Sequence, residues 1–203
     1  MTVTAIRQTS PGRLTVCLDT GEEIRSTLGA VTDLRLYSGR ELDGETLNAF
    51  KLSSARSLAR EKALELVSRR PMSKKELVDK LISKGEEEPT AEYCAGWLEE
   101  NGFINDERYA AQLARHYAAK GYGAGRVRAE LNRRGIEREL WDAALDAMPQ
   151  NDDKIDRFIA ARLKNPDDRD EIRKISAALY RRGYSWDEIR SALSRCSDYK
   201  EDY

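Results

Sequence analysis

Leu, two variable residues, a basic residue and Gly recur three times, from Leu81 to Gly85, Leu131 to Gly135 and Leu179 to Gly183, with glycines 50 and 48 residues apart. A period of this size marks an internal repeat, which restricts the chain to a tandem array of similar units. Upstream of each glycine, Leu77/Leu81, Val127/Leu131 and Ile175/Leu179 form apolar pairs at i, i+4, so they share one helix face. Downstream, Ala91/Ala95/Leu98, Trp141/Leu145/Met148 and Ile189/Leu193/Cys196 make a second apolar stripe at helical spacing. Each unit therefore holds one helix that stops at Gly and another that follows it. Past a helix end the backbone commonly turns left-handed, which costs a residue with a Cβ roughly 1 to 2 kcal/mol and favours Gly. Lys84, Arg134 and Arg182, just before the glycines, suit the negative end of the helix dipole.

A further helix precedes each pair. Ala55, Leu58, Ala59, Ala63, Leu66 and Val67 give its stripe in the first unit, with Ser53 or Ser54 as the expected cap. In the second, Asn105 or Asp106 caps a helix carrying Tyr109, Ala110, Leu113, Ala114 and Tyr117; in the third, Asp152 or Asp153 precedes Ile155, Phe158, Ile159 and Leu163. Ser73 with Glu76 has the capping-box pattern, and Pro71 and Pro166 punctuate the turns before the middle helices.

Before Ser53 the pattern changes. Leu14, Val16 and Leu18 alternate with Thr15 and Cys17, Asp19-Thr20-Gly21-Glu22 signals a turn, and Ile24 with Leu28 continues the alternation. With Val3 to Ile6 as another short strand, this predicts a hairpin plus one strand, while Tyr37 to Asn48 gives no clear pattern. The expected fold is mainly α: three tandem three-helix repeats forming an elongated curved array, with a small β-rich extension at residues 1–52. The repeats are assigned to 53–104, 105–149 and 150–203, the last including a tail.

Units this small bury too little apolar surface alone, so neighbours must supply part of each core. Of the 203 residues 35% are charged, and no apolar run approaches the ~18 that a membrane span needs. A soluble chain without a signal peptide is expected. Cys17, Cys94 and Cys196 are far apart and odd in number, which fits reduced thiols in a cytoplasm better than disulfides or a zinc site.

The chain offers little to catalysis. His116, the only histidine, has no nucleophile or metal-ligand cluster near it in sequence and is expected to be structural or on the surface. Gly121, Gly123 and Gly125 lack the Lys-Ser/Thr ending and preceding strand of a phosphate loop, so they read as a flexible interhelical turn. Asp167 and Asp168 read as helix-start residues rather than an acid/base pair. No cofactor or metal is implied.

Charge is segregated along the chain. From Arg115 to Gly135 the residues Arg115, Lys120, Arg126, Arg128, Arg133 and Arg134 face one acid, Glu130, and the third middle helix adds Arg173, Lys174, Arg181 and Arg182. Glu86 to Glu100 holds Glu86, Glu87, Glu88, Glu92, Glu99 and Glu100 with no base. Such segregation can steer a charged partner, or can reduce to solvated faces whose charges pair between neighbouring units.

The run Phe103-Ile104-Asn105-Asp106-Glu107-Arg108-Tyr109-Ala110, the run Leu131-Asn132-Arg133-Arg134-Gly135-Ile136, and Ser68-Arg69-Arg70-Pro71-Met72-Ser73 followed by Glu76-Leu77 and Leu81 together resemble the bacterial RecX regulatory proteins. The resemblance runs from Ala55 to Cys196, tightest in the first two units. Asn105 stands where that family usually has Asp; both cap helices. The resemblance implies a regulator that binds in the groove of the RecA recombinase filament and inhibits its ATPase, strand exchange and filament growth. Single- or double-stranded DNA is left open as a further partner. The expected contact residues are Arg115, Lys120, Arg126, Arg128, Arg133, Arg134, Lys174, Arg181 and Arg182, led by Arg126, Arg128, Arg133 and Arg134.

Two other classes fit a helical triplet. One is a helix-turn-helix or Myb-like DNA reader, against which stand the unequal offsets of Trp97, Trp141 and Trp186 from their glycines and the acidic third helix of unit one. The other is a helical scaffold for a different protein.

Overall fold

The computed structural model of the chain describes residues 1–149 and 152–198. Gln150 and Asn151, where the third repeat is expected to begin, and the tail from Tyr199 lie outside these. The chain divides into two compact units, which meet in sequence at Ile104 and Asn105.

In the first unit, strands β1 (Val3–Ser10), β2 (Arg13–Leu18) and β3 (Glu23–Thr27) form an antiparallel sheet in chain order. Val3, Val16, Leu18 and Ile24 from the sheet close a core with Val31, Leu36, Leu42, Leu47 and Phe50. Leu28 does not continue the third strand as its alternation suggested. The Thr27 hydroxyl accepts from the Ala30 amide and caps a short helix, α1 (Leu28–Asp33), whose first residue is left exposed.

The first repeat departs from expectation at its start. Helix α2 runs 26 residues, Gly44–Arg69, capped by the Asp43 carboxylate on the Thr46 amide at 2.7 Å. Ser53 and Ser54 therefore lie inside a helix and cap nothing. Their neighbourhood is polar for a tertiary reason: the Ser54 and Ser26 hydroxyls bond at 2.8 Å, and Ser57 meets Thr27 at 2.5 Å, which satisfies groups buried between α2 and β3. One helix thus serves two cores. Leu47 and Phe50 pack under the sheet, while Ala59 and Ala63 pack with Leu77 and Leu81 of α3 (Lys74–Ser83) and with Ala91, Cys94, Ala95 and Leu98 of α4 (Glu88–Glu100). Small Ala side chains let α2 approach α4 closely. Helix α3 opens on the Ser73/Glu76 capping box.

The second unit holds two further triplets. Helices α5 (Asp106–Ala119), α6 (Ala124–Arg133) and α7 (Trp141–Asp146) surround Tyr109, Leu113, Val127, Leu131, Ile136 and Ala144. Helices α8 (Asp152–Ala160), α9 (Arg169–Arg181) and α10 (Trp186–Asp198) surround Ile155, Ile159, Leu163, Ile175, Leu179, Tyr184 and Ile189. Asn105 is the cap of α5, its Oδ1 accepting from the Arg108 amide at 2.7 Å, and Asp168 caps α9. Leu163 is buried but lies past the end of α8.

The repeated motif is a helix stop. In each repeat the Leu carbonyl accepts the amide just past Gly, from Glu86 at 3.1 Å, Ile136 at 3.0 Å and Tyr184 at 3.3 Å. The Gly amide bonds Ile82, Asn132 or Tyr180, which completes the paired bonds of a Schellman motif. Gly85, Gly135 and Gly183 have φ of +90°, +66° and +91°. The Leu side chain is fully buried in every copy, so one residue anchors the core and closes the helix.

Candidate interaction surface

The surface is built on a close backbone contact. The Gly123 amide donates to the Arg182 carbonyl at 3.0 Å and the Gly125 amide to the Gly183 carbonyl at 2.8 Å, joining the start of α6 to the end of α9. A Cβ on Gly123 would lie 2.5 Å from the Gly183 oxygen, and one on Gly183 would lie 2.1 Å from the Arg126 nitrogen. The glycine-rich stretch is the expected interhelical turn, between α5 and α6, but it is packed rather than loose and forms the junction between the second and third repeats. Glycine is required there because two backbones touch, which sequence spacing alone does not reveal. Lys154 adds a second tie, donating to the Ala118 and Ala119 carbonyls at 2.8 and 2.9 Å and so placing a cation on the negative end of α5.

Beside this junction lies an open groove of about 430 Å³, lined among others by Arg126, Arg128, Tyr180, Arg181, Tyr184 and Glu188. The junction brings Arg126 and Arg128 from α6 opposite Arg181 from α9. All three are exposed, and among the described residues none makes an ion pair. Glu188 is committed locally: its carboxylate accepts the Ser185 amide at 2.6 Å while the Ser185 hydroxyl accepts the Glu188 amide at 3.2 Å.

The remaining expected contact residues fall into three groups. Arg133 and Arg134 converge on Glu130, whose side chain is 4% exposed, with Arg133 Nη2 at 2.5 Å and Arg134 Nε at 2.8 Å. Hydrogen bonds from Arg133, assisted by Arg134, hold the Glu130 carboxyl down to about 2 against the opposing effect of burial. Arg134 also donates to the Tyr109 hydroxyl and lies over its ring. Arg134 is 18% exposed, so it is largely a structural residue, whereas Arg133 keeps 67% of its side chain in solvent. Arg182 is half-buried, its guanidinium 4.6 Å from the Phe158 ring centre. Arg115, Lys120 and Lys174 are exposed on α5, at its C-cap and on α9, and do not line the groove.

Other sequence candidates resolve simply. His116 is exposed and edge-on to Tyr117. Within the acidic run, Glu86 pairs with Lys62 and Glu99 with Lys74 at 2.6 Å, both inside the first unit. Among the described residues no group of three or more His, Cys, Asp or Glu is gathered as a metal requires, and no helix is long and apolar enough to cross a membrane. Spacing missed a stacked, exposed pair of rings, Tyr180 and Trp186. The only signal for it in the sequence is two aromatics flanking the third helix stop.

Known proteins share this organisation. Models of the first, second and third three-helix domains of RecX match residues 59–98, 105–145 and 160–193. The regulatory protein RecX of Vibrio campbellii is 32% identical over 148 residues, which cover 71% of this chain and 95% of that protein. RecX of Stenotrophomonas maltophilia is 37% identical over 135 residues, covering 65% and 83%. A crystal structure of regulatory protein RecX shares the fold with a TM-score of 0.74 at 22% identity, over 97% of this chain and 98% of that one.

Proposed function

The chain belongs to the RecX family of regulatory proteins, and on that premise we propose that it binds the RecA recombinase filament and inhibits its ATPase, strand exchange and growth. In this reading it modulates recombination and DNA repair in the cytoplasm by binding rather than by catalysis. The observation that supports it is the groove at the α6/α9 junction, where Arg126, Arg128 and Arg181 stand exposed without ion pairs among the described residues.

Three guanidiniums without carboxylate partners among the described residues are suited to external carboxylates or phosphates, which they bind in a planar, bidentate fashion. A protein filament on DNA presents both. Arg126 and Arg128 lead the contact, with Arg181 across the groove and Arg133 at the far end of α6. Arg115, Lys120 and Lys174 extend the positive field. Arg134 and Arg182 act by holding α6 and α9 in place. Because the glycine contact fixes the backbones of α6 and α9, the two helices that carry the arginines need no rearrangement on binding.

The test is addition of purified protein to RecA assembled on single-stranded DNA, followed by ATP hydrolysis and co-sedimentation. The protein is expected to sediment with the filament and lower ATP turnover. Unchanged turnover with the protein left in the supernatant contradicts the reading.

A further inference from the structure

In the first repeat two guanidiniums lie on aromatic rings instead of carboxylates. Arg56 and Arg60, one turn apart on α2, stand 3.9 and 5.2 Å from the ring centres of Tyr93 and Trp97 on α4, and Trp97 stacks in turn on Phe103 at 5.9 Å. Among the described residues neither arginine makes an ion pair, since the nearby α2 acids Glu61 and Glu65 are taken by Arg13 and Arg69. The Arg56 Nε is buried with no hydrogen-bond partner among these residues, and Tyr93 and Phe103 keep 38% and 53% of their surface in solvent. Arg, Trp and Tyr gathered on one surface are the composition of a protein-binding hot spot. Gly96 is an independent observation on the same helix. It stands inside α4, where glycine is the least favourable residue after proline, yet its φ is not left-handed and a Cβ there would meet nothing within 4 Å. Nothing within the first unit calls for this glycine, but a missing side chain lets a second backbone approach.

We propose that this face docks an acidic amphipathic helix of a partner protein, with carboxylates at i and i+4 on Arg56 and Arg60, an apolar side chain against Trp97 and Phe103, and the helix backbone passing close over Gly96. Guanidiniums lying on rings keep their in-plane N–H groups, which carboxylates accept in bidentate fashion. Arg56 and Arg60 are themselves at i, i+4, so two carboxylates at the same spacing on a partner helix match them. Nucleic acid suits the face poorly. The Tyr93 and Trp97 rings already carry guanidiniums and Phe103, and a run of phosphates would meet Glu88, Glu92, Glu99 and Glu100 along α4. A helix places its two carboxylates at two points and can be neutral elsewhere.

The face lies in the first unit and shares no residue with the α6/α9 groove, so it is measured without RecA. Full-length protein is titrated into a fluorescent, alanine-based helical peptide of about 16 residues that carries Glu at i and i+4 and Leu at i+7. A control peptide of equal composition carries its Glu residues at i and i+2, on different faces, and is expected to bind at least about tenfold more weakly. Arg56→Gln with Arg60→Gln weakens binding of the first peptide about tenfold and removes most of its salt dependence. Gly96→Gln separates docking from folding: it raises the unfolding temperature of the free protein, because its side chain enters open space, and weakens peptide binding about tenfold by filling the approach. Arg126→Glu with Arg128→Glu leaves peptide binding unchanged.

Equal affinity for the two peptides, wild-type affinity in Gly96→Gln, or loss of binding in the Arg126/Arg128 variant overturns the proposal. Displacement of the peptide by oligothymidylate overturns it in favour of nucleic acid, and a dimer in sedimentation that Gly96→Gln dissolves overturns it in favour of a second copy of the chain. Absence of peptide binding with RecA inhibition intact removes this proposal and leaves the proposed function standing. Peptide binding with the expected pattern but no RecA inhibition does the opposite.

Discussion

The Gly125 amide donates to the Gly183 carbonyl at 2.8 Å, so the helix stop that closes α9 of the third repeat is also a docking point for α6 of the second. Gly183 meets two demands: its φ is +91°, and a Cβ would collide with the Arg126 backbone. Gly85 in the first repeat meets only one, with φ of +90° and nothing within 4 Å of where a Cβ would stand. The same motif therefore has a local duty in each repeat and a tertiary duty in the third. That second duty sets Arg126 and Arg128 opposite Arg181.

Gly85→Ala is expected to cost about 1 to 2 kcal/mol, the strain of a left-handed residue with a Cβ. Gly183→Ala is expected to cost more, about 3 kcal/mol, because backbone must also move. Urea unfolding of the two variants checks the order; equal losses would show that the α6/α9 contact gives way freely.

Leu131 anchors the second helical core and is fully buried. Leu131→Ala is expected to destabilise by roughly 2 to 5 kcal/mol, the range for transfer plus cavity at a closed site. A loss under about 1 kcal/mol in the same unfolding measurement would mean that the site collapses around the deletion.

Glu130 carries a pH signature. Its folded carboxyl is held down to about 2 from an ordinary 4.5, so the stability it contributes is fully present above 4.5 and is lost as pH falls toward 2. Glu130→Gln is expected to be roughly 2 kcal/mol less stable at neutral pH and to lose that part of the acid dependence. Unfolding in urea at stepped pH reads both; parallel acid curves for the two proteins would exclude the buried ion cluster as the cause.

Cys94 is fully buried against α2, and burial pushes its thiol up to about 11. At pH 8 it is therefore almost entirely protonated and unreactive, since the thiolate is the nucleophile. Mass mapping of a thiol label at pH 8 is expected to find Cys196, which is half-buried, modified well before Cys94. Simultaneous modification would show that the first helical core opens readily.

Much of this architecture follows from neighbours in sequence. The pairs Leu77/Leu81, Val127/Leu131 and Ile175/Leu179, the Ser73/Glu76 box and the glycine stops all depend on residues within one turn or two, and they are found as the spacing predicts. What spacing cannot see is a partner from elsewhere. Ser54 resembles a cap until Ser26 arrives from the sheet, and Gly123 resembles a loose turn until Gly183 is packed against it. The basic run behaves the same way. Arg126 and Arg134 are alike in sequence, but Tyr109 and Glu130 tie down Arg134, whereas Arg126 stays exposed at the groove. Only the fold distinguishes the arginine that holds the helix from the one that faces outward.

The proposed role of the α6/α9 arginines in regulating RecA can be read from Arg126→Glu with Arg128→Glu in a DNA-dependent RecA ATPase assay. Both residues are exposed and without ion pairs among the described residues, so the variant is expected to unfold at the wild-type temperature yet require at least about tenfold more protein for half-inhibition. Full inhibition at wild-type concentrations by the folded variant would remove Arg126 and Arg128 from the contact with RecA.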